Sequence, residues 1–180
     1  MSSFDKLYGY FGKIKKVTLV ISGASIAVMI ILISLDVFLR SIFSIGIQGS
    51  YEIIESILMP TVIFWGLLVT YSSGSIPRLD MLSTRFSGKV QISVKLVMVL
   101  IDIFIYSVMA YYTFQRALTA ISDGMAISAG GTLVSIVVIF IFVPISFLLV
   151  TIEAIFILIK TIKDKDVRYS IDSENEAMQE

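Results

Sequence analysis

Four long runs of apolar residues, separated by short polar segments, organise the chain. The runs cover approximately residues 17–39, 53–71, 96–114 and 132–159. Each is continuously apolar rather than alternating, and each approaches or exceeds the roughly twenty residues that a helix needs to cross the hydrocarbon core of a bilayer. The pattern therefore predicts an all-α integral membrane protein with four transmembrane helices. Pro144 lies deep in the fourth run and is expected to kink that helix.

Two further segments have the pattern of helices that lie on a membrane surface. In residues 1–16, apolar side chains recur at spacings of three and four, with lysines at other positions, which is typical of an amphipathic interfacial helix. The proposed membrane-anchoring residues are Phe4, Leu7, Tyr8, Phe11, Lys13 and Lys16. A basic tail that only sets the topology is the alternative. Between the second and third runs, a short surface helix capped by Ser75 is predicted, with Leu79 and Leu82 on its apolar face.

The distribution of Lys and Arg predicts the orientation of the spans. Twelve of the fourteen basic residues lie before the first run, between the second and third, or after the fourth, and only Arg40 and Arg116 lie on the other side. Because short cytoplasmic loops retain positive charge, both termini are predicted to be cytoplasmic, in a bacterial inner membrane. The twelve are Lys6, Lys13, Lys15, Lys16, Arg78, Arg85, Lys89, Lys95, Lys160, Lys163, Lys165 and Arg168.

Composition agrees with a membrane protein and argues against several kinds of chemistry. Of 180 residues, 57% are hydrophobic and 16% charged. Cys and His are both absent, which removes disulfides, haem attachment and the commonest zinc ligands, so no cofactor is predicted. No phosphate-binding glycine loop or nucleophile elbow is present, and the basic residues are dispersed, so neither an enzyme nor a nucleic-acid-binding protein is expected. Residues 1–165 are predicted to form one membrane domain, and 166–180 a polar, disordered tail.

Charged side chains within the spans or at their ends are the candidate functional groups. A charge at the bilayer centre costs roughly 2.5–3.5 kcal/mol, so each such residue is expected to have a partner or a function. Asp36 and Arg40 lie one helical turn apart at the outer end of the first span. Glu52 and Glu55 open the second span. We expect these four residues to form an ion-pair network at the periplasmic rim that fixes the angle between the first two helices. Contact with an ion or a substrate is the alternative.

Asp102 and Glu153 lie inside the third and fourth spans, at a similar distance from the predicted cytoplasmic boundary. Lys95 and Lys160, each seven residues away, could reach them only by snorkelling. Three interpretations remain open at this point. The carboxylates could pair with another subunit, they could pair with these lysines, or they could form a protonatable or cation-binding site that would make the chain a transporter by itself.

Several small motifs follow one another in a recognisable order between about Asp36 and Glu153. An Arg that closes the first span precedes an aromatic residue and a Ser-acid pair. A Gly in the second span precedes a loop Gly, a basic residue and an acid, and a Pro lies in the last span. These positions are Arg40, Phe43, Ser50, Glu52, Gly66, Gly74, Arg78, Asp80 and Pro144. In this order and spacing, the chain resembles the DctQ-like small membrane subunit of tripartite ATP-independent periplasmic (TRAP) transporters.

The resemblance implies a small scaffold subunit of a secondary, sodium-driven transporter that imports an organic acid. Its partners would be a large elevator-type membrane subunit and a periplasmic solute-binding protein, and Arg78, Asp80, Asp102 and Glu153 would be candidate contacts between subunits. The alternative is a self-contained, small ion-coupled transporter, or an ion-binding four-helix membrane protein, that uses Asp102 and Glu153. A membrane-bound assembly factor or receptor subunit is a third possibility.

Overall fold

Four long helices and one short hairpin make up the computed structural model, which describes residues 3–73 and 88–164. All four helices are long and apolar enough to cross a membrane, which confirms the four predicted spans. In chain order the elements are α1 (Ser3–Phe43), α2 (Ser50–Ser72), α3 (Gly88–Ser122), β1 (Ala126–Ala129), β2 (Thr132–Ser135) and α4 (Val137–Asp164).

The helices pack mainly as a row, in the order α1, α2, α4, α3. A row of helices has two broad faces, and large apolar side chains are exposed along both α1 and α3, the two ends of the row. Two hydroxyl groups join the helices in the middle of the row: Ser22 Oγ in α1 donates to the Val62 carbonyl at 3.1 Å, and Ser146 Oγ in α4 donates to the Phe64 carbonyl. The backbone of α2 is therefore held from both sides.

The N-terminal segment is part of α1 and not a separate interfacial helix as predicted. The helix continues without a break for 41 residues, a length of about 60 Å at 1.5 Å per residue, or roughly twice the hydrocarbon thickness of a bilayer. The first 40 residues contain no proline that would end a helix. Residues 3–16 accordingly extend the first span in the same direction, and Tyr8 and Phe11 pack against Phe156 of α4.

A π-helical turn interrupts α2 over Ile54–Leu58. The N–H of Met59 donates to the Ile54 carbonyl five residues back, and Pro60, which follows directly, has no N–H to donate. Because a π turn holds one extra residue, it rotates the residues before it by about 100° relative to those after it. Side chains at the start of α2, including Glu52, therefore point in a different direction, relative to the rest of the helix, from the one that an uninterrupted α-helix would give them.

The hairpin corrects the predicted start of the fourth span. That span was expected to begin at residue 132, but residues 132–135 form β2 and α4 begins at Val137. The tip of the hairpin is Gly130-Gly131, with φ angles of 58° and 86°, as a two-residue type I′ turn requires. Two adjacent glycines before a short apolar run are the sequence signal of such a turn.

Candidate functional site

A buried ion pair joins the first part of α1 to α4. The Lys15 Nζ atom lies 2.8 Å from Glu153 Oε1, and the two side chains are 8% and 0% exposed. Charged groups lose their hydration when they are buried, so such a pair persists only where hydrogen bonds support it. In this structure the support comes from the same helix that supplies the lysine.

Tyr8, two turns before Lys15, completes this arrangement. Lys15 Nζ donates to the Tyr8 hydroxyl at 2.5 Å, and that hydroxyl donates to Glu153 Oε1 at 3.2 Å. The ammonium also lies 4.4 Å from the centroid of the Tyr8 ring, within cation–π range. The ring packs edge-on against Phe156 of α4. Charge, hydrogen bonds and an aromatic contact therefore all hold α1 against α4 at one place.

A second, partly buried contact joins the end of α2 to α3. The Tyr71 hydroxyl donates to Asp102 Oδ2 at 2.9 Å, and the Tyr71 side chain is completely buried. Its ring packs edge-on against Tyr106, one turn further along α3. A neutral hydroxyl of the same chain is thus among the groups that stabilise the Asp102 carboxylate. The sequence interpretation had considered only lysines as partners within this chain.

These two contacts border the same hydrophobic cluster, at the end of the bundle where α2 ends. We call the five residues the polar layer: Tyr8, Lys15, Tyr71, Asp102 and Glu153. The cluster beside them draws on all four helices and consists of Tyr8, Phe11, Leu68, Tyr71, Val99, Val150, Ala154, Phe156 and Ile157. Every helix contributes at least one group to the polar layer, whose contacts join the helices in two pairs, α1 with α4 and α2 with α3.

Lys15, Tyr8 and Tyr71 are the members of the polar layer that the sequence interpretation missed as partners of the carboxylates. Lys15 was assigned to the topology signal and Tyr8 to the membrane surface, since residues 1–16 were placed outside the bundle. Tyr8 and Lys15 are seven residues apart and so lie on one face of a helix. That spacing, together with an acidic residue at the same depth in another span, was the sequence signal from which these contacts could have been predicted.

The proposed membrane anchors divide into two groups in the structure. Tyr8 and Phe11 are buried against Phe156, so their prediction as anchors is corrected: their apolar face packs on α4 because α1 continues without a break. Lys13 and Lys16 are exposed. The following lie outside the described residues: the side chains of Phe4 and Leu7, the surface helix predicted after Ser75, and the candidate contacts Arg78 and Asp80.

At the opposite end of the bundle, the expected four-residue rim network is replaced by a smaller arrangement. Arg40 Nη2 lies 2.8 Å from Asp36 Oδ2, within α1. Asp36 Oδ1 also accepts the backbone N–H of Ile47 at 2.6 Å, which ties the loop after α1 to the helix. Among the described residues, neither Glu52 nor Glu55 forms a salt bridge. The π turn in α2 changes the direction in which these two residues face.

The described residues contain no group of three or more acidic side chains that could hold a metal ion. What the polar layer does provide is fixed pairing between helices, in a place shielded from solvent. Glu153 is fully buried and is contacted by Tyr8 and Lys15 of α1. Such an arrangement is suited to holding helices in position.

Four helices long and apolar enough to cross a membrane, joined by polar contacts between them, are the architecture of a small integral membrane protein. The chain belongs to the DctQ family: residues 29–164 match the family described as tripartite ATP-independent periplasmic transporters, DctQ component. This confirms the resemblance drawn from the motifs and makes the chain the small membrane component of such a transporter. No curated protein and no solved structure matches the chain. The matched range includes Asp102 and Glu153 but begins after Tyr8 and Lys15.

Proposed function

We propose that this chain is the scaffold subunit of a sodium-driven TRAP transporter that imports an organic acid. In this proposal it stands beside the stationary part of a large elevator-type membrane subunit and works with a periplasmic solute-binding protein. It lies in a bacterial inner membrane with both termini in the cytoplasm. Family membership supports the type of complex, and the solute class and the coupling ion follow from the resemblance described above.

The buried contact between Lys15 and Glu153 is the observation that carries the scaffold role. An elevator mechanism requires that one part of the complex stays still while another moves across the membrane. Buried ion pairs with supporting hydrogen bonds are costly to separate, so helices joined in this way move as one body. Tyr71 and Asp102 join α2 to α3 in the same way, and the hydrophobic cluster beside the two contacts draws on all four helices.

The shape of the bundle gives separate support. Because the helices form a row, the subunit is broad for its size and presents long apolar surfaces on α1 and α3. Such surfaces are stable only against lipid or against other membrane helices. A broad slab beside a transport subunit increases the area of the complex in the membrane and resists tilting.

The alternative is that the chain transports an ion or a solute by itself, through Asp102 and Glu153. A transport site needs groups that the solute can reach from each side of the membrane in turn. Glu153 is fully buried and paired with Lys15, and Asp102 accepts a hydrogen bond from Tyr71. These contacts favour a structural role for both carboxylates.

Reconstitution distinguishes the two functions. The chain is purified with the large membrane protein encoded beside it, and uptake of labelled carboxylates is measured in liposomes under a sodium gradient. We expect uptake only when both membrane subunits and the binding protein are present. Uptake by this chain alone, abolished by Asp102→Asn, would establish the alternative. Failure of the chain to associate with a large multi-span protein would reject the scaffold proposal.

The orientation has its own test, which the lack of cysteine makes simple. Ser135→Cys in β2 and Gly9→Cys in α1 each introduce a single thiol at an exposed position. In spheroplasts, a membrane-impermeant maleimide is expected to label Ser135→Cys at once and Gly9→Cys only after permeabilisation. Labelling in the reverse order would overturn the proposed topology.

A further inference from the structure

Two exposed lysines lie on the outer surface of α1, in the same part of the helix that is bound to α4. Lys13 and Lys16 are exposed, whereas Lys15 between them is buried and paired with Glu153. Residues three positions apart share a face of a helix, so the two exposed side chains are neighbours. Lys15 therefore serves the polar layer, and Lys13 and Lys16 face the surroundings of the bundle.

The spacing of charged residues along α1 places these two lysines at a membrane surface. The positions between Lys16 and Asp36 contain no charged residue. The distance from one to the other is about 30 Å of helix at about 1.5 Å per residue, which equals the thickness of the hydrocarbon core of a bilayer. Lys16 therefore lies at the edge of the hydrocarbon. Lys13 lies about 4.5 Å further out along the helix, among the lipid headgroups.

The lysines belong to two parallel columns of side chains on the surface of α1. Each column contains a glycine, a lysine and a valine at intervals of four residues, which places them above one another on the helix. The columns are Gly9, Lys13 and Val17, and Gly12, Lys16 and Val20. The two valines, on the membrane side of the lysines, are 56% and 68% exposed.

The two glycines leave space on the other side of the lysines. A Cβ atom on Gly9 or Gly12 would have no described atom within 4 Å apart from its chain neighbours and the backbone of the helix itself. Each column thus offers open space, then a cation, then apolar surface, in the direction of the membrane interior. A phospholipid has the matching order of headgroup, phosphate and acyl chain.

The charge of the two lysines is not balanced by acids on the same helix. No acidic residue occurs between Asp5 and Asp36, and within the part of the chain that the structure describes neither Lys13 nor Lys16 forms a salt bridge. Lys13 Nζ lies 5.6 Å from the ring centroid of Tyr10, which is 69% exposed. A cation–π contact leaves the ammonium hydrogens free to donate to an anion, and tyrosine is enriched in the headgroup region.

We propose that this surface of α1 binds an anionic phospholipid, with the phosphate between Lys13 and Lys16 and an acyl chain along Val17 and Val20. A lipid phosphate is the anion always present at this depth, and basic side chains at a membrane surface attract anionic lipid. A soluble anion would use the lysines only, whereas a lipid also covers the valines. The inference does not depend on the proposed function, because it uses only the position of these residues on a membrane helix.

A bound lipid would fix the depth of the bundle in the membrane. Within four residues, α1 is held to α4 by Lys15 and to the headgroup layer by Lys13 and Lys16. A shift of α1 along its axis would have to break both sets of contacts. In the proposed orientation, the lipid belongs to the cytoplasmic leaflet.

Native mass spectrometry of the full-length chain in detergent tests the proposal. Binding of phosphatidylglycerol and phosphatidylcholine with identical acyl chains is compared for wild type, the double variant Lys13→Gln with Lys16→Gln, and a control. The control, Arg40→Gln with Arg116→Gln, removes the same charge from exposed positions at the other end of the bundle. We expect wild type and the control to prefer phosphatidylglycerol by about tenfold or more, and the lysine variant to prefer it by no more than about twofold.

Two further measurements complete the test. Lys13→Arg with Lys16→Arg keeps both charges and is expected to keep the preference. Inorganic phosphate at the concentration of the lipid is expected to leave the lipid bound, because it has no acyl chain to place on the valines. Displacement of the lipid by phosphate would assign the lysines to a soluble anion and reject the inference.

Equal binding of the two lipids by wild type, or equal loss in the lysine variant and the control, would overturn the lipid site and leave the proposed function intact. Should the lysine variant not fold, a photoactivatable phosphatidylglycerol is crosslinked to the wild-type chain instead. Crosslinks within residues 9–20 support the inference, whereas crosslinks only to other parts of the chain reject it.

Discussion

Lys15 and Glu153 are separated by 138 positions in the chain, yet their charged atoms are 2.8 Å apart inside the bundle. The contact joins the first helix to the last and encloses both charges in protein. It also explains two features that are unfavourable by themselves: a carboxylate within the fourth span, and a lysine on an apolar face of α1. Each charge offsets part of the cost of burying the other.

Removing the lysine is expected to destabilise the subunit strongly. Lys15→Met removes the cation that lies 2.8 Å from the buried Glu153 carboxylate, which costs about 3–5 kcal/mol. Thermal unfolding of the purified subunit in detergent measures the effect. Lys16→Met is the control, because Lys16 is the exposed neighbour. The double variant Lys15→Met with Glu153→Gln is expected to recover part of the loss, and equal melting temperatures for the two single variants would contradict the buried pair.

The contact between Tyr71 and Asp102 predicts a graded response. Tyr71→Phe removes a hydroxyl donor from the half-buried Asp102 carboxylate and is expected to lower stability by about 1 kcal/mol. Asp102→Asn keeps an oxygen that accepts the hydroxyl, so its effect is expected to be smaller. The exposed Tyr111→Phe serves as control. If Asp102→Asn abolished transport by the complex without changing its stability, a role in ion coupling would replace the structural one.

Glycine substitutions separate strain from steric overlap at the hairpin. Gly130→Ala forces an alanine into a left-handed conformation and places its Cβ against the Gln48 carbonyl. Gly131→Ala has the same backbone strain, about 1–2 kcal/mol, but open space around the Cβ. Gly130→Ala is therefore expected to lower the melting temperature more than Gly131→Ala. Equal effects of the two substitutions would show that the loop and the hairpin are not in contact.

At the rim, Asp36 is expected to matter more than Arg40. Asp36→Ala leaves the Ile47 N–H without its acceptor and releases the loop, at a cost of about 1–2 kcal/mol. Arg40 is largely exposed, so its ion pair with Asp36 contributes only about 0–1 kcal/mol, and Arg40→Ala is expected to be milder. Arg116→Ala should be the mildest. Thermal unfolding ranks the three, and a larger effect of Arg40→Ala than of Asp36→Ala would contradict this arrangement.

Some interactions across the chain were predictable and others were not. The Asp36–Arg40 contact follows from an i, i+4 spacing within one helix, which is a local relationship. The expected participation of Glu52 and Glu55 failed because a π turn before Pro60 changes the direction of the start of α2. The hairpin was overlooked because the apolar residues of β2 and α4 form one continuous run, although the Gly130-Gly131 pair marks the turn between them.

The sequence by itself determined the environment of each segment. Four apolar runs predict four crossings, the distribution of Lys and Arg predicts their orientation, and the order of small motifs indicates the family. Hydrophobicity is a property of a segment and can be summed along it. The tertiary structure alone decided which side chains meet: that Lys15 reaches Glu153, that Tyr71 reaches Asp102, and that Gly49 touches Gly130. Those contacts depend on the register and rotation of helices packed against one another, and no single segment contains that information.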